Sequence, residues 1–191
     1  RIFYYNQEIT GLDDSDWKSL RKEIQIIFQD PFSALNPRKS VAETITEPME
    51  VHRLYNNFKD RLEKTEDLLL RVGLDATFLN RYPHQLSGGQ RQRICIARAL
   101  ALSPKLLILD ESVSALDVSV QAQVLNLLMD LKDKLGLSYL FISHDFPVVH
   151  FMADRIMVMK DGAIVESGPS YKIINEPTAE YTKNLIDSIP S

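Results

Sequence analysis

Four consecutive apolar residues, Leu106-Leu107-Ile108-Leu109, run straight into Asp110-Glu111. A short apolar run without polar alternation suits the buried centre of a parallel sheet rather than a strand with one wet face. Parallel neighbours need crossover connections, usually helical, so this segment points to an α/β sheet. It also places two carboxylates at the C-terminal edge of a strand, where open α/β sheets bind ligands.

The remaining chain fits that frame. Residues 2–9 (IFYYNQEI) read as a strand, and 10–16 as a turn leading to a short helix over 17–22. Residues 24–28 (IQIIF) form a second strand that stops before Asp30-Pro31. Residues 41–52 read as a helix interrupted near Pro48, and 58–72 as a helix with Leu62, Leu69 and Val72 on one face and Gly73 as its cap. Further helices are expected over 90–102, 118–135 and 146–152, with a strand over 138–143. Residues 156–160 and 163–166, joined by Asp161-Gly162, form a hairpin. Two last helices are expected over 171–175 and 179–189.

Composition narrows the function. The 191 residues are 45% apolar and 25% charged, which excludes an intrinsically disordered chain. The net charge of −4 and the lack of a basic stripe argue against nucleic acid as partner. One cysteine, Cys95, allows neither an internal disulfide nor a thiolate-built zinc or iron–sulfur site. That fits a reducing compartment. No apolar run approaches the roughly 18 residues of a membrane span.

Five local features carry chemistry. In Leu86-Ser87-Gly88-Gly89-Gln90, two glycines open a helix, so backbone N–H groups and the helix dipole can meet a phosphate, with the Ser87 hydroxyl as a further donor. An ordinary Ser-Gly-Gly helix cap has the same residues. Asp110 can hold Mg²⁺, directly or through water, and Glu111 can polarise a water for in-line attack on phosphorus; a solvated acidic turn reads alike. His144, after the strand-like SYLFIS, sits beside Asp110-Glu111 if the two strands are neighbours, and could then contact a γ-phosphate. His52, His84 and His150 lack this setting. Gln29 ends the IQIIF strand, where its amide could touch a metal or its water. Asp117, in SALD at 114–117, is a helix N-cap or a ligand contact.

The order of these features resembles one family. Gln29 resembles the Q-loop, 86–90 (LSGGQ) the signature, 106–111 (LLILDE) the Walker B strand, 114–117 the D-loop and His144 the H-loop of ABC transporter ATP-binding subunits. The stretches QDPFSALNPR (29–38), YPHQLSGGQRQR (82–93), SALDVSVQAQVLNLL (114–128) and PTAEYTKNLIDSIP (177–190) are similar to the dipeptide and oligopeptide importer group. The resemblance implies a P-loop-NTPase-like ABC ATPase fold divided at 1–40 (core with Q-loop), 41–100 (helical subdomain with signature), 101–168 (core with Walker B, D-loop and H-loop) and 169–191 (C-terminal extension). It implies ATP and Mg²⁺ as cofactors. Glu111 and His144 would be catalytic, with Gln29, Ser87, Gly88, Gly89, Gln90 and Asp117 on nucleotide and Gln29 and Asp110 on metal. The implied partners are a second ATP-binding subunit, identical or not, transmembrane permease subunits and, indirectly, a peptide-binding protein, at the cytoplasmic face of the membrane. Some members of the group carry an iron–sulfur cluster in the C-terminal extension; with no cysteine after Cys95, none is expected here.

Two departures matter. Ser112 replaces the proline usual after the glutamate, a minor change in a turn. More important, none of the seven glycines begins or completes a G-x-x-x-x-G-K motif followed by Ser or Thr, the backbone cradle for phosphates. Arg1 is also not a natural start. The chain thus resembles a subunit whose N-terminal strands, P-loop and first helix are cut away. Two other classes stay open: a non-transport ABC ATPase, against which the absence of coiled-coil insertions argues, and a non-catalytic module offering only its signature face. The expectation for the 191 residues by themselves is weak MgATP binding and negligible turnover. Isothermal titration checks it; micromolar affinity with steady phosphate release contradicts it.

Overall fold

The computed structural model describes residues 1–187. Its centre is a three-stranded parallel sheet in the order β3 (Ile24–Ile27), β4 (Leu106–Asp110), β5 (Ser138–Ile142). Ile26 pairs with Ile108, and Ile108 with Leu140, so the three strands end level. The expected parallel sheet is present, with the Walker B-like run as its middle strand.

Only one face of that sheet is deeply buried. Leu107 and Leu109 are fully enclosed and Ile27 nearly so, while Ile26, Phe28, Leu140 and Ile142 on the other face are 43%, 54%, 39% and 46% exposed. The apolar run therefore encodes a two-sided strand whose second face is only partly covered by the described residues.

Helices α5 (Gly88–Leu100) and α6 (Val118–Leu135) lie in the main core with helices α3 (Val41–Val51) and α4 (Phe58–Arg71). One continuous apolar cluster runs from Ile27 through Ile45, Leu69, Ile96, Leu109 and Leu128 to Met152. Each helix start is chemically specified. Ser40 and Glu43 form a reciprocal capping box on α3, Asn57 caps α4, and Asp117 caps α6. Gly73 and Gly136 follow α4 and α6 at φ 72° and 63°, where a left-handed residue ends a helix cheaply.

Three expectations are corrected. Residues 2–9 are not one strand: β1 (Phe3–Tyr4) and β2 (Gln7–Glu8) form a minimal hairpin, because Tyr5 turns left-handed at φ 51° before Asn6. Helix α3 is not interrupted at Pro48. An interior proline costs about 3 kcal/mol, but Ile45 and Met49 on either side of it are completely buried, and that packing holds the helix straight through. The signature helix starts at Gly88, two residues before the expected Gln90. The short helices α1 (Asp14–Glu23), α7 (Phe146–Met152) and α8 (Ser170–Asn175) lie close to their expected places, and α9 spans Glu180–Asp187. The expected end of that last helix, and of the motif at 177–190, falls outside the described residues.

The hairpin β6 (Arg155–Lys160) and β7 (Ala163–Pro169) builds a second, smaller core. Ile156, Val158 and Ile173 pack there with Phe146 and Val149 of α7 and Tyr181 and Leu185 of α9. Glu166 fastens this unit. Its carboxylate accepts from the Thr178 amide and hydroxyl, both at 2.8 Å, and from the Ala179 amide at 3.1 Å. The Thr182 hydroxyl lies against the same carboxylate without an aligned hydrogen bond. These groups, Thr182 foremost and the Thr178 amide next, pull the Glu166 carboxyl down to about 2 from 4.5.

Two outcomes follow from this packing. A Cβ on Gly89 would sit 2.4 Å from Val120 Cγ1, and a β-branched valine in a helix has little freedom to yield. Overpacking costs about 1–3 kcal/mol, more than the gain of up to about 1 kcal/mol in helix propensity. Gly89→Ala should lower the midpoint of thermal unfolding by several degrees; an unchanged or higher midpoint contradicts the close packing of α5 on α6. For Glu166, the folded carboxyl is the more acidic. Its stabilisation is complete above pH 4.5 and fades as pH falls toward about 2. The difference in melting between the parent chain and Glu166→Gln should therefore be largest near neutral pH and shrink through that window.

Candidate functional site

The sheet brings three of the sequence-marked side chains together. Asp110 pairs with Ile142 at the ends of β4 and β5, and the next amide, that of Glu111, donates to the Ile142 carbonyl at 2.9 Å. Glu111 then turns left-handed, at φ 46°, and leaves the strand. Its carboxylate meets two partners. Gln29 Nε2, two residues beyond β3, donates to Oε2 at 2.6 Å. His144 Nδ1, two residues beyond β5, lies 2.9 Å from Oε1. An ionised carboxylate only accepts hydrogen bonds, so this contact requires the proton on Nδ1. The Ser114 amide and hydroxyl close the following turn onto the Glu111 carbonyl. The glutamate side chain is 28% exposed and the histidine 73%, so the set stands at the surface, open to a water or a phosphate.

Asp110 is exposed and makes no side-chain hydrogen bond or ion pair among the described residues. With Gln29 Oε1 it offers two oxygen donors at one sheet edge. No group of three or more His, Cys, Asp or Glu that could hold a metal occurs among the described residues. That donor set fits Mg²⁺, which takes one or two protein oxygens, keeps several waters and binds phosphate oxygens.

The second set lies at the N-terminus of α5. Ser87 is the N-cap and forms a capping box with Gln90: Ser87 Oγ accepts from the Gln90 amide at 3.3 Å, and Gln90 Oε1 accepts from the Ser87 amide at 2.9 Å. The Gly88 and Gly89 amides keep no partner within the helix, and the Ser87 hydroxyl proton stays free to donate. Ser87 and Gly88 are exposed. A Cβ on Gly88 would only touch Leu116 Cδ2 at 3.6 Å. Gly88 keeps the approach to an anion open, whereas Gly89, buried against Val120, is glycine for packing.

Asp117 works as a helix cap. Its Oδ1 accepts from the Val120 amide at 3.0 Å and the Ser119 hydroxyl at 2.8 Å, and these bonds, the amide first, hold its carboxyl below the ordinary range. The structure joins Gln29, Glu111 and His144 in one hydrogen-bonded set and packs 88–89 against 116–120. No hydrogen bond links the two sets among the described residues. Ser112, buried behind Glu111, leaves its hydroxyl unpaired among them. A cleft of about 690 Å³ lined by Tyr4, Glu23 and Lys105 contains none of these residues.

Sequence reading missed Arg91, Arg98 and Phe32. Arg91 lies over the Phe32 ring at 3.5 Å, and Arg98 Nη1 donates to the Ala34 carbonyl at 2.6 Å. The available signal was their spacing: positions 91 and 98 are two helical turns apart and share a face of α5.

Comparison with known proteins agrees with the geometry. Residues 1–114 match the family described as ABC transporter. The chain is 50% identical over 191 residues to "Oligopeptide transport ATP-binding protein AppF" of Bacillus subtilis, covering 100% of this chain and 58% of that protein. It is 52% identical over 188 residues to "Dipeptide transport ATP-binding protein DppF" of Haemophilus influenzae, covering 98% and 57%. The chain thus spans less than two thirds of the length of these relatives. Among solved structures, cbiO1 from Clostridium perfringens, part of the ABC transporter complex cbiONQ, superposes with a TM-score of 0.81 at 27% identity over 100% of this chain and 73% of that one. The ATP-binding cassette MJ0796, dimeric in a post-hydrolysis state bound to ADP and Pi, superposes with a TM-score of 0.73 at 29% identity over 88% and 72%. With its parallel sheet, its LSGGQ helix start and its Glu111 set all in place, the chain belongs to the ABC transporter ATP-binding family.

Proposed function

We propose that the protein carrying this chain is the ATP-binding, ATP-hydrolysing subunit of an ABC importer that drives peptide uptake. The observation that carries the reading is the Glu111 carboxylate held between Gln29 and His144. Glu111 would orient the attacking water and accept its proton. His144, its Nδ1 spent on Glu111, would turn its other nitrogen to the γ-phosphate. Asp110 and Gln29 Oε1 would hold Mg²⁺, which when bound neutralises charge on the phosphates. Ser87 and the Gly88 amide would contact the phosphates of a nucleotide held chiefly by a second ATP-binding subunit, with Gly89 and Gln90 shaping that turn and Asp117 fixing the adjoining helix start.

The separation of the two residue sets supports such a shared site, as does the dimeric state of MJ0796. The names of the relatives support oligopeptides or dipeptides as cargo. Permease subunits would complete the transporter, with a peptide-binding protein delivering substrate, at the cytoplasmic face of the membrane. No described helix is long and apolar enough to cross a membrane itself. The division at 1–40, 41–100, 101–168 and 169–191 is part of the same reading.

The test is made at the length of the curated relatives. Glu111→Gln keeps shape and removes the base; ATP should still bind while hydrolysis falls roughly 10²-fold or more, and ATP-bound dimers should accumulate on size exclusion. Asp110→Asn should weaken nucleotide retention. Ser87→Ala should spare nucleotide binding by the single subunit and impair dimer closure. Unaltered phosphate release by Glu111→Gln refutes the assignment.

A further inference from the structure

Gln29 lies two residues beyond β3 and precedes α2 (Pro31–Ala34), a helix of four residues. One turn of helix is not stable by itself. Asp30 caps it, accepting from the Phe32 and Ser33 amides at 2.8 and 3.3 Å, but a cap does not fix where the turn sits. What fixes it comes from α5. The Arg91 guanidinium stacks on the Phe32 ring, and its Nε donates to the Pro83 carbonyl at 2.8 Å. One turn pair further on, Arg98 grips the Ala34 carbonyl.

Arg91 is only 8% exposed, while Phe32 is 65% exposed. Burying a guanidinium is costly unless its charge and donors are satisfied. Here its direct contacts are a neutral carbonyl and a ring that is itself mostly in water, with the Asp30 carboxylate near enough to feel its charge. Packing alone would be served as well by an apolar side chain. The planar cation does something such a side chain cannot: it stacks on one face of a ring and hydrogen-bonds in its own plane, so it fixes direction as well as distance. Its own backbone amide donates to the Ser87 carbonyl at 2.9 Å, within the first turn of α5.

We infer that Arg91 is a positioning residue that fastens the segment carrying Gln29 to the N-terminal turn of α5, so that an anion seated at Ser87-Gly88 and the Gln29–Glu111 hydrogen bond respond as one unit. Its consequence for ATP hydrolysis rests on the function proposed above; the coupling itself does not.

The 191-residue chain tests the coupling directly, through exchange of the Gln29 side-chain amide protons with water measured by NMR. The Gln25 amide, which donates to the Arg21 carbonyl outside this contact, serves as internal reference. Arg91→Lys keeps the charge and loses the planar stack. Phe32→Leu loses the ring at an exposed position and should leave the melt unchanged. Each should speed Gln29 exchange roughly two- to fivefold, the factor a cation–π contact on an exposed ring carries, and leave Gln25 unmoved. Phe32→Tyr restores a ring and should keep the parent rate. Unchanged Gln29 exchange in Phe32→Leu overturns the inference, and so does a Phe32→Tyr variant that behaves like Phe32→Leu. The Phe32 pair decides even if substitution of Arg91 prevents folding. At the length of the relatives, Phe32→Leu should lower kcat more than it raises KM for ATP. If the unsubstituted protein hydrolyses no ATP, the proposed function fails while the exchange measurements still decide the coupling.

Discussion

One carboxylate with two donors at the ends of three level strands sets the geometry of the candidate site. Glu111 can accept from Gln29 and His144 together only because β4 lies between β3 and β5 and the three strands finish at the same height. A slip of one residue in either pairing would turn every side chain to the opposite face and separate the partners. The left-handed turn at Glu111 then brings the carboxylate off the strand axis toward both donors. Both contacts are open to solvent, so each contributes about 0–1 kcal/mol, and the pair offsets only part of a backbone conformation that costs of order 1–3 kcal/mol at a non-glycine residue.

The two sets of candidate residues obey different physics. The Glu111 set is made by long-range strand register. The turn at 87–90 is made locally, by a capping box that consumes the Gln90 amide and leaves those of Gly88 and Gly89 without a partner inside the helix. The second set opens α5, whose glycine end meets α6 at Val120 and whose arginine face holds the segment after Gln29. The small core around Ile156, Val158 and Ile173 is separate; Phe146 and Val149 of α7, the helix that begins after His144-Asp145, pack against it, and Lys132 of α6 pairs with Asp154 beside it.

Much of this was legible in the sequence, for reasons that differ by element. The middle strand was readable because an apolar run ending in carboxylates fits few other structures, and the neighbouring positions of Glu111 and His144 followed once both strands were parallel. Asp117 and Gly73 were readable as helix caps from their own chemistry, whereas the start of α5 was read two residues late although Ser87 caps it locally. The errors arose where tertiary packing decides. Ile45 and Met49 keep α3 whole through Pro48. The hairpin at 3–8 depends on one left-handed tyrosine, for which no glycine gives notice. The half-covered outer face of the sheet, with Ile26, Phe28, Leu140 and Ile142, has the same apolar code as a fully covered one. The role of Arg91 was hidden because its partner, Phe32, lies in a different motif. Gly89 shows the converse: a glycine marked for ligand approach is also required by its neighbour Val120.

The central claim is that Glu111 is a carboxylate fixed by two donors, and the proton on His144 reports it most directly. Long-range ¹H–¹⁵N correlation NMR of the imidazole, at a pH where the ring is neutral, identifies which nitrogen bears hydrogen. The account predicts the Nδ1–H form, donating to Glu111 Oε1, and its loss in Glu111→Ala. A neutral ring protonated on Nε2, with bare Nδ1 facing the carboxylate, would contradict it.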